Sequence, residues 1–195
     1  MSSVPEEVVL HKVWTVPNLI TVTRMLLIPV FAWAFLTDGK DVAALTLLVI
    51  IGTTDWVDGF VARKFGQVSK LGKLLDPVAD RMAIIVVLLV LVFRGVVALP
   101  LAAVLLVRDL IVSVMFPILE AKGVPRLPVN RTGKWATAFI FTGMAFAAAS
   151  VLEPVEDFAS TASFGLLVVG AFLYWLAGGL YLRELRRLSA QGLVP

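Results

Sequence analysis

Two apolar runs flank a polar segment in residues 42–93, which read VAALTLLVIIGTTDWVDGFVARKFGQVSKLGKLLDPVADRMAIIVVLLVLVF. The first run stays apolar to Thr54, and the second extends from Met82 to Phe93. Each run continues in helical register into the polar segment, which predicts an antiparallel helical hairpin with both polar ends on one side. The length and hydrophobicity of the runs fit the interior of a bilayer.

The composition of the whole chain is typical of a membrane protein. Of its 195 residues, 59% are hydrophobic and 16% are charged, whereas about a quarter of the residues in soluble domains are charged. Apolar runs recur between Trp14 and Tyr181, which leaves no stretch for a separate water-soluble core. We therefore predict a single membrane domain over residues 1–195. The acidic start at Glu6 and Glu7 lacks the basic segment of a secretory signal, so a cleaved signal peptide is not expected.

Six segments are each long enough to cross about 30 Å of hydrocarbon at about 1.5 Å per residue. They are residues 18–36, 42–66, 69–93, 97–121, 135–152 and 158–182. The pattern predicts an all-α integral membrane protein with six transmembrane helices.

The distribution of basic residues predicts the orientation of these helices. Most of the 17 Lys and Arg residues lie in the N-terminal segment, the turn between helices 2 and 3, the loop between helices 4 and 5, and the C-terminal tail. The other side carries Lys40 and Arg94, while Arg108 lies within the fourth segment. By the positive-inside rule both termini are cytoplasmic, as are the polar ends of helices 2 and 3. Membrane orientation accounts for this charge pattern, so no nucleic-acid partner is predicted.

Four aspartates are concentrated on the hairpin of helices 2 and 3. Asp55 and Asp58 are three residues apart, and Asp76 and Asp80 are four apart. Each pair therefore shares one face of its helix, within an arc of about 100°. The same two faces carry small residues that leave room for a ligand, namely Gly59, Ala62 and Gly72.

Such a carboxylate cluster at the edge of a membrane calls for a bound cation, because burial and like-charge proximity both penalise the ionised form. The chain has no cysteine and a single histidine, which leaves oxygen ligands and excludes disulfides and thiolate zinc sites. Mg²⁺, Mn²⁺ and Ca²⁺ fit these ligands, and two ions suit four aspartates. Ion pairs with nearby basic residues such as Arg63 and Lys73 are the alternative, but they leave the shared faces unexplained.

The hairpin resembles the signature of a known enzyme family. From Asp55 to Asp80 it reads D-W-V-D-G-F-V-A-R, eight residues, G-K-L-L-D, three residues and D. This is similar at every defining position to D-x2-D-G-x2-A-R-x8-G-x3-D-x3-D of the CDP-alcohol phosphatidyltransferases. The runs PNLITVTRMLLIPVF and GKLLDPVADR resemble the branch of bacterial phosphatidylglycerophosphate and cardiolipin synthases. The resemblance covers most of the chain and agrees with six helices.

The resemblance implies an enzyme of the cell membrane that transfers a phosphatidyl group from CDP-diacylglycerol to an alcohol and releases CMP, with Mg²⁺ or Mn²⁺ as cofactor. It implies that Asp55, Asp58 and Asp76 bind metal and that Asp80 is the general base, which also contacts the second ion. The implied donor-binding residues are Asn18, Thr21, Gly59, Ala62, Arg63, Ser69 and Gly72. Asn18 and Thr21 have an alternative as residues that simply start the first helix. A homodimer is also expected from the family.

A second basic group lies around the loop between helices 4 and 5 and consists of Arg126, Arg131 and Lys134, with Arg108 in the fourth segment. Of these, Arg108, Arg131 and Lys134 are the candidate acceptor-binding residues. Lys134, in the run NRTGKWAT, resembles a glycine-lysine element of the same branch and implies contact with an anionic acceptor. Its alternative is a membrane anchor at lipid headgroups, and Arg108 could instead pair with a neighbouring helix. The predicted acceptor is glycerol 3-phosphate, giving phosphatidylglycerophosphate. Phosphatidylglycerol, giving cardiolipin, is the alternative.

A cation transporter is the remote alternative from another class, because intramembrane aspartates can line a cation path. Such a path predicts acidic groups near the midplane on several helices. Here the aspartates lie on one hairpin beside Arg63, which would repel a permeating cation. The enzyme is therefore the favoured interpretation.

Overall fold

The computed structural model describes the backbone of residues 15–65, 70–121 and 131–190. Side chains are described over the same ranges except at positions 17, 55–65, 70, 71, 73, 74, 77, 116, 117, 120, 121, 189 and 190. Every regular element in these ranges is helical. They are α1 (Val16–Phe35), α2 (Asp41–Phe65), α3 (Lys70–Phe93), α4 (Leu99–Ala121), α5 (Arg131–Ala149) and α6 (Glu156–Ala190), with a 3₁₀ turn at Glu153–Val155. The predicted all-α fold with six helices is thus confirmed for the described residues.

Helix ends differ most from the predicted segments in α5 and α6. α5 begins at Arg131 rather than at 135, and α6 continues to Ala190 rather than ending at 182. The predicted ends followed hydropathy, which marks the part of a helix suited to lipid. Helical hydrogen bonding continues into polar sequence, as it does near Glu184 and Arg187, whose side chains approach to 3.8 Å.

The chain forms two compact units, Met1–Val90 and Leu91–Pro195, with the boundary inside α3. In the first unit α1 packs against α2, and in the second α6 packs against α4 and α5. Helix α1 begins at Val16 and is capped by Thr15, whose hydroxyl oxygen accepts a hydrogen bond from the backbone N–H of Asn18 at 3.4 Å. This cap satisfies a backbone donor at the helix start, where no intrahelical acceptor is available.

Polar side chains are buried and apolar ones are exposed to an extent unusual for a soluble protein. Arg24 and Asp109 are buried, whereas Leu26, Leu110 and Phe172 are about two-thirds exposed, at 66, 65 and 68%. Large exposed apolar surface marks contact with a partner or with lipid. The distribution is the one expected for helices whose outer faces meet hydrocarbon.

Two segments among the described residues are long and apolar enough to cross a membrane, Asn18–Phe35 and Glu153–Leu188. The apolar part of α2, Asp41–Thr54, is shorter. α2 carries the polar signature residues in its second half, which lowers the hydropathy of the helix without ending it.

Helices α5 and α6 approach each other closely at two glycines. A Cβ added at Gly143 would lie 2.8 Å from Cγ of Leu167. One added at Gly170 would lie 2.8 Å from Cγ1 and 3.1 Å from the backbone nitrogen of Ile140. Small residues at helix interfaces permit this proximity, which is a common basis of helix association in membranes.

We expect Gly170→Ala to lower the thermal unfolding midpoint of the detergent-solubilised protein, because the added methyl group meets the backbone of α5. Overpacking of this kind costs about 1–3 kcal/mol. Gly165→Ala is the matched control on the same helix, where an added Cβ meets no atom of the described residues within 4 Å. That change should be neutral or slightly stabilising, since alanine favours helix over glycine. Equal midpoints for the two variants would contradict the close approach.

Candidate active site

Helix α3 carries two of the predicted site aspartates, Asp76 and Asp80. They are four residues apart, so both project from the same face of the helix. Both are partly exposed, and the side chain of Asp80 is 43% exposed. Gly72, one turn before Asp76, is buried. This face of α3 therefore carries two carboxylates close to a glycine, Gly72.

Helix α1 contacts each of these carboxylates through one side chain. The hydroxyl of Thr21 donates a hydrogen bond to Oδ1 of Asp76 at 2.8 Å, and Nη1 of Arg24 donates to Oδ1 of Asp80 at 2.7 Å. The second contact is an ion pair as well as a hydrogen bond, which makes it one of the stronger kinds. Going from the first contact to the second, the residue number increases in both helices, so α1 and α3 run parallel here.

Periodicity explains why α1 presents this polar face. Asn18, Thr21 and Arg24 follow one another at intervals of three residues, and all three are buried. Ile28 and Phe31 continue the same buried face toward the end of the helix. Positions three and four apart lie on one side of a helix. The face therefore changes from polar near its start to apolar near its end.

Arg24 was not among the predicted site residues. Its sequence signal was present, because it is the one charged residue in the apolar segment 18–36. Charged residues inside membrane segments are costly and usually functional. Among the basic residues that predict orientation, Arg24 counts only as one cation near the N-terminus, so its contact with Asp80 is not anticipated.

The other predicted residues of the hairpin are described only in part. The backbone of α2 passes through the positions of Asp55, Asp58, Gly59, Ala62 and Arg63, but their side chains lie outside the described set. Ser69 lies outside the described residues altogether.

The described side chains contain no group of three or more potential metal ligands. Asp76 and Asp80 supply the partly exposed carboxylate oxygens that Mg²⁺ and Mn²⁺ prefer, so this half of the predicted set fits such an ion. The complete four-aspartate site stays a prediction.

In the second unit, a polar cluster joins α4 to α6. The Tyr174 hydroxyl donates a hydrogen bond to Oδ1 of Asp109 at 2.9 Å, and the guanidinium carbon of Arg108 lies 3.5 Å from the centroid of the tyrosine ring. Asp109 is buried. The cation–π contact and the hydrogen bond provide the pairing with a neighbouring helix that was the alternative for Arg108. Tyr174 itself was not predicted, because one phenol in an apolar helix gives no distinguishing signal.

Arg131 and Lys134, the other predicted acceptor residues, lie in the first turn of α5. Both are exposed. The N-terminus of a helix carries the positive end of its dipole, so two cations there concentrate positive charge and favour an anion nearby.

Comparisons with known proteins identify the family. Residues 14–180 match the family described as CDP-alcohol phosphatidyltransferase. The chain is 38% identical to the CMP-forming cardiolipin synthase of Streptomyces coelicolor, over 91% of this chain and 85% of that protein. It is 36% identical to the CDP-diacylglycerol–glycerol-3-phosphate 3-phosphatidyltransferase of Pseudomonas fluorescens, over 86% and 84%. The enzyme of that name from Haemophilus influenzae is 30% identical, over 82% and 87%.

The chain therefore belongs to the CDP-alcohol phosphatidyltransferase family, which confirms the resemblance seen in the hairpin. It is a CDP-diacylglycerol-dependent phosphatidyltransferase, and the cation-transporter alternative is set aside. The family is generally dependent on a divalent metal. Its members are membrane enzymes, which agrees with the two apolar spans.

We expect Tyr174→Phe to lower the thermal unfolding midpoint, because buried Asp109 loses a hydrogen-bond donor while the ring beneath Arg108 is kept. Losing one hydrogen bond to a charged group costs about 1.5–3 kcal/mol. Tyr174→Leu should cost more, since it removes the ring as well. Trp175→Phe, at a 45% exposed neighbour on the same helix, is the control. An unchanged midpoint for Tyr174→Phe would show that the bond contributes nothing to stability.

Proposed function

We propose that this chain transfers the phosphatidyl group of CDP-diacylglycerol to a glycerol-type acceptor, with release of CMP, in phospholipid biosynthesis. The observation that carries the proposal is the complete family signature between Asp55 and Asp80, which lies inside the matched residues 14–180. The structure supports it by holding Asp76 and Asp80 on one face of α3, each in contact with a side chain of α1.

The proposed metal site consists of Asp55, Asp58, Asp76 and Asp80 and holds two Mg²⁺ or Mn²⁺ ions. When bound, these ions supply charge neutralisation for the phosphate oxygens and for the departing CMP. The oxygen-only ligand set and the partial exposure of Asp76 and Asp80 support this assignment.

Asp80 acts in this proposal as the general base. It takes the proton of the acceptor hydroxyl, whose oxygen forms a bond to the phosphorus of the phosphatidyl group while the bond from that phosphorus to CMP breaks. A general base needs contact with the reacting hydroxyl, and the 43% exposure of Asp80 is compatible with such contact.

The donor is bound in this proposal by small and polar residues of α1, α2 and the start of α3. Gly59, Ala62 and Gly72 allow the nucleotide to approach the backbone, while Arg63 contacts its phosphates. The remaining donor-binding residues are Asn18, Thr21 and Ser69. The burial of Asn18 and Thr21 on the face of α1 that meets α3 supports a role beyond starting the helix.

Two acceptors are compatible with this machinery. Glycerol 3-phosphate is the acceptor predicted from the sequence, and the relatives from Pseudomonas fluorescens and Haemophilus influenzae carry it in their names. Phosphatidylglycerol is the second candidate, favoured by the 38% identity with the cardiolipin synthase of Streptomyces coelicolor. Arg108, Arg131 and Lys134 form the proposed acceptor site, and the positive charge in the first turn of α5 supports contact with an acceptor phosphate.

We propose further that all six helices cross the cell membrane as one domain, with both termini and the active site on the cytoplasmic side. The basic residues near the proposed cytoplasmic ends support this orientation, and an extracellular terminus in a reporter fusion would contradict it. We also propose a homodimer, which is expected from the family. Light scattering of the purified protein measures its mass, and the mass of a monomer would contradict the proposal. Among the described residues, an added Cβ at Gly178 or Gly179 meets nothing within 4 Å, so these small residues leave space in which another helix could pack closely.

We expect purified protein to release CMP from CDP-diacylglycerol only when Mg²⁺ or Mn²⁺ and the correct alcohol are present. Glycerol 3-phosphate and phosphatidylglycerol are offered separately, and CMP and the lipid product are quantified. Asp80→Asn should lower kcat by about 10²-fold or more, because general-base catalysis contributes about 10²–10⁴-fold. Asp38→Asn, at an exposed acid in the turn after α1, is the matched control.

The acceptor that yields product identifies the enzyme. Product with glycerol 3-phosphate would give phosphatidylglycerophosphate, and product with phosphatidylglycerol would give cardiolipin. Absence of CMP release with any alcohol, from folded protein supplied with metal, would refute the proposed function.

We expect Lys134→Ala to raise KM for the acceptor about tenfold, which corresponds to losing one favourable contact of about 1.4 kcal/mol, and to leave KM for CDP-diacylglycerol unchanged. Initial rates at varied concentrations of each substrate measure the two constants. Arg186→Ala, at an exposed cation near the end of α6, is the control for nonspecific charge effects. A lipid anchor at Lys134 would instead leave the acceptor KM as in the wild type.

A further inference from the structure

Two buried side chains of α1 contact the aspartates of α3, and the proposed donor binding does not account for these two contacts. We name Thr21 and Arg24 the α1 pair. Their contacts are selective, since Thr21 bonds Asp76 and Arg24 bonds Asp80. Asp76 is a proposed metal ligand, and Asp80 is the proposed general base, which also contacts the second ion. The α1 pair is therefore linked to two different parts of the proposed reaction.

The burial of the α1 pair is costly for packing alone. Arg24 is 1% exposed and Thr21 is fully buried. A buried ion pair is often no more stabilising than apolar residues of similar volume, because both charges lose hydration. Asp80 remains 43% exposed, so its carboxylate could be solvated without Arg24. Stability therefore gives a weak reason for an arginine at this position.

The geometry of the two contacts fits a role in orienting the carboxylates better than a role in stabilising the fold. Each contact is made to Oδ1 of its carboxylate, and a carboxylate has two oxygens with about four acceptor sites. Anchoring one oxygen restricts rotation of the group while leaving it able to bind other partners. Carboxylates that bind metal are commonly held in this way by hydrogen-bond donors, and removing such a donor typically costs 10–100-fold in metal affinity or activity.

We propose that Thr21 and Arg24 are positioning residues, with Thr21 orienting Asp76 for metal binding and Arg24 orienting Asp80 for proton transfer. This inference rests on the proposed function, and it gives α1 a role separate from donor binding. The two halves differ in their expected effects. Loss of the Thr21 contact weakens metal binding, whereas loss of the Arg24 contact lowers kcat.

Direct Mn²⁺ binding tests the first half. Free and bound Mn²⁺ are measured by electron paramagnetic resonance on the purified protein in detergent, without substrates. Thr21→Val should raise the Mn²⁺ dissociation constant about tenfold or more, and Thr21→Ser, which keeps the hydroxyl, should stay within about threefold of wild type. Thr23→Val is the matched control, because the exposed Thr23 hydroxyl donates its hydrogen bond to the Leu19 carbonyl of its own helix.

Steady-state kinetics at saturating Mn²⁺ test the second half. Arg24→Met removes the donor and keeps an apolar stem, and it should lower kcat about tenfold or more with little change in KM for CDP-diacylglycerol. Arg24→Lys keeps the charge but not the planar guanidinium, so it should recover part of the lost rate. A residue that only stabilised the fold would change the unfolding midpoint without this separation of kcat from KM.

Several results would overturn the inference. Wild-type Mn²⁺ affinity in folded Thr21→Val would refute the first half, and wild-type kcat in folded Arg24→Met would refute the second. If either variant does not fold, Thr21→Ala and Arg24→Leu are measured instead, and wild-type values in both would also refute the proposal. Failure of the wild-type protein to bind Mn²⁺ and release CMP would instead refute the proposed function itself.

Discussion

The ion pair between Arg24 and Asp80, 2.7 Å long, joins α1 to α3. It also accounts for the presence of a charged residue in the apolar segment that forms α1. With the bond from Thr21 to Asp76, it fixes how α1 is rotated about its own axis. That rotation turns Leu26 outward and keeps Ile28 and Phe31 inside. The polar contacts therefore determine which apolar residues are left for the lipid.

The two units are organised by different means. In the first, polar side chains meet across α1 and α3. In the second, glycines bring α5 and α6 together, and a polar cluster around Tyr174 links α4 to α6. Close packing needs only shape, whereas a site for charged substrates needs polar groups at defined positions. The first unit thus combines structural contacts with the residues of the proposed chemistry.

Much of this architecture was accessible from the sequence, because apolar runs and helical periodicity act over a few turns. The six helices followed from the runs, and the aspartate faces followed from spacings of three and four. The bond of Arg24 to Asp80 was not accessible, since these residues are 56 positions apart and their meeting depends on helix rotation. Helix ends such as Ala190 were missed because hydropathy reports suitability for lipid and not where helical bonding stops. The complete four-aspartate site remains a prediction.

The burial of Arg24 has a consequence for biosynthesis. Ribosomes add about 5–20 residues per second, so α1 emerges several seconds before Asp80, which lies 56 positions later. An arginine near a helix centre raises the free energy of membrane insertion by about 2.5–3.5 kcal/mol on insertion scales. During that interval the nascent α1 inserts poorly into the bilayer on its own. It must remain at the translocon, or its guanidinium must extend toward the lipid headgroups. In the proposed six-helix topology, the final position of α1 in the bilayer therefore depends on the later synthesis of α3.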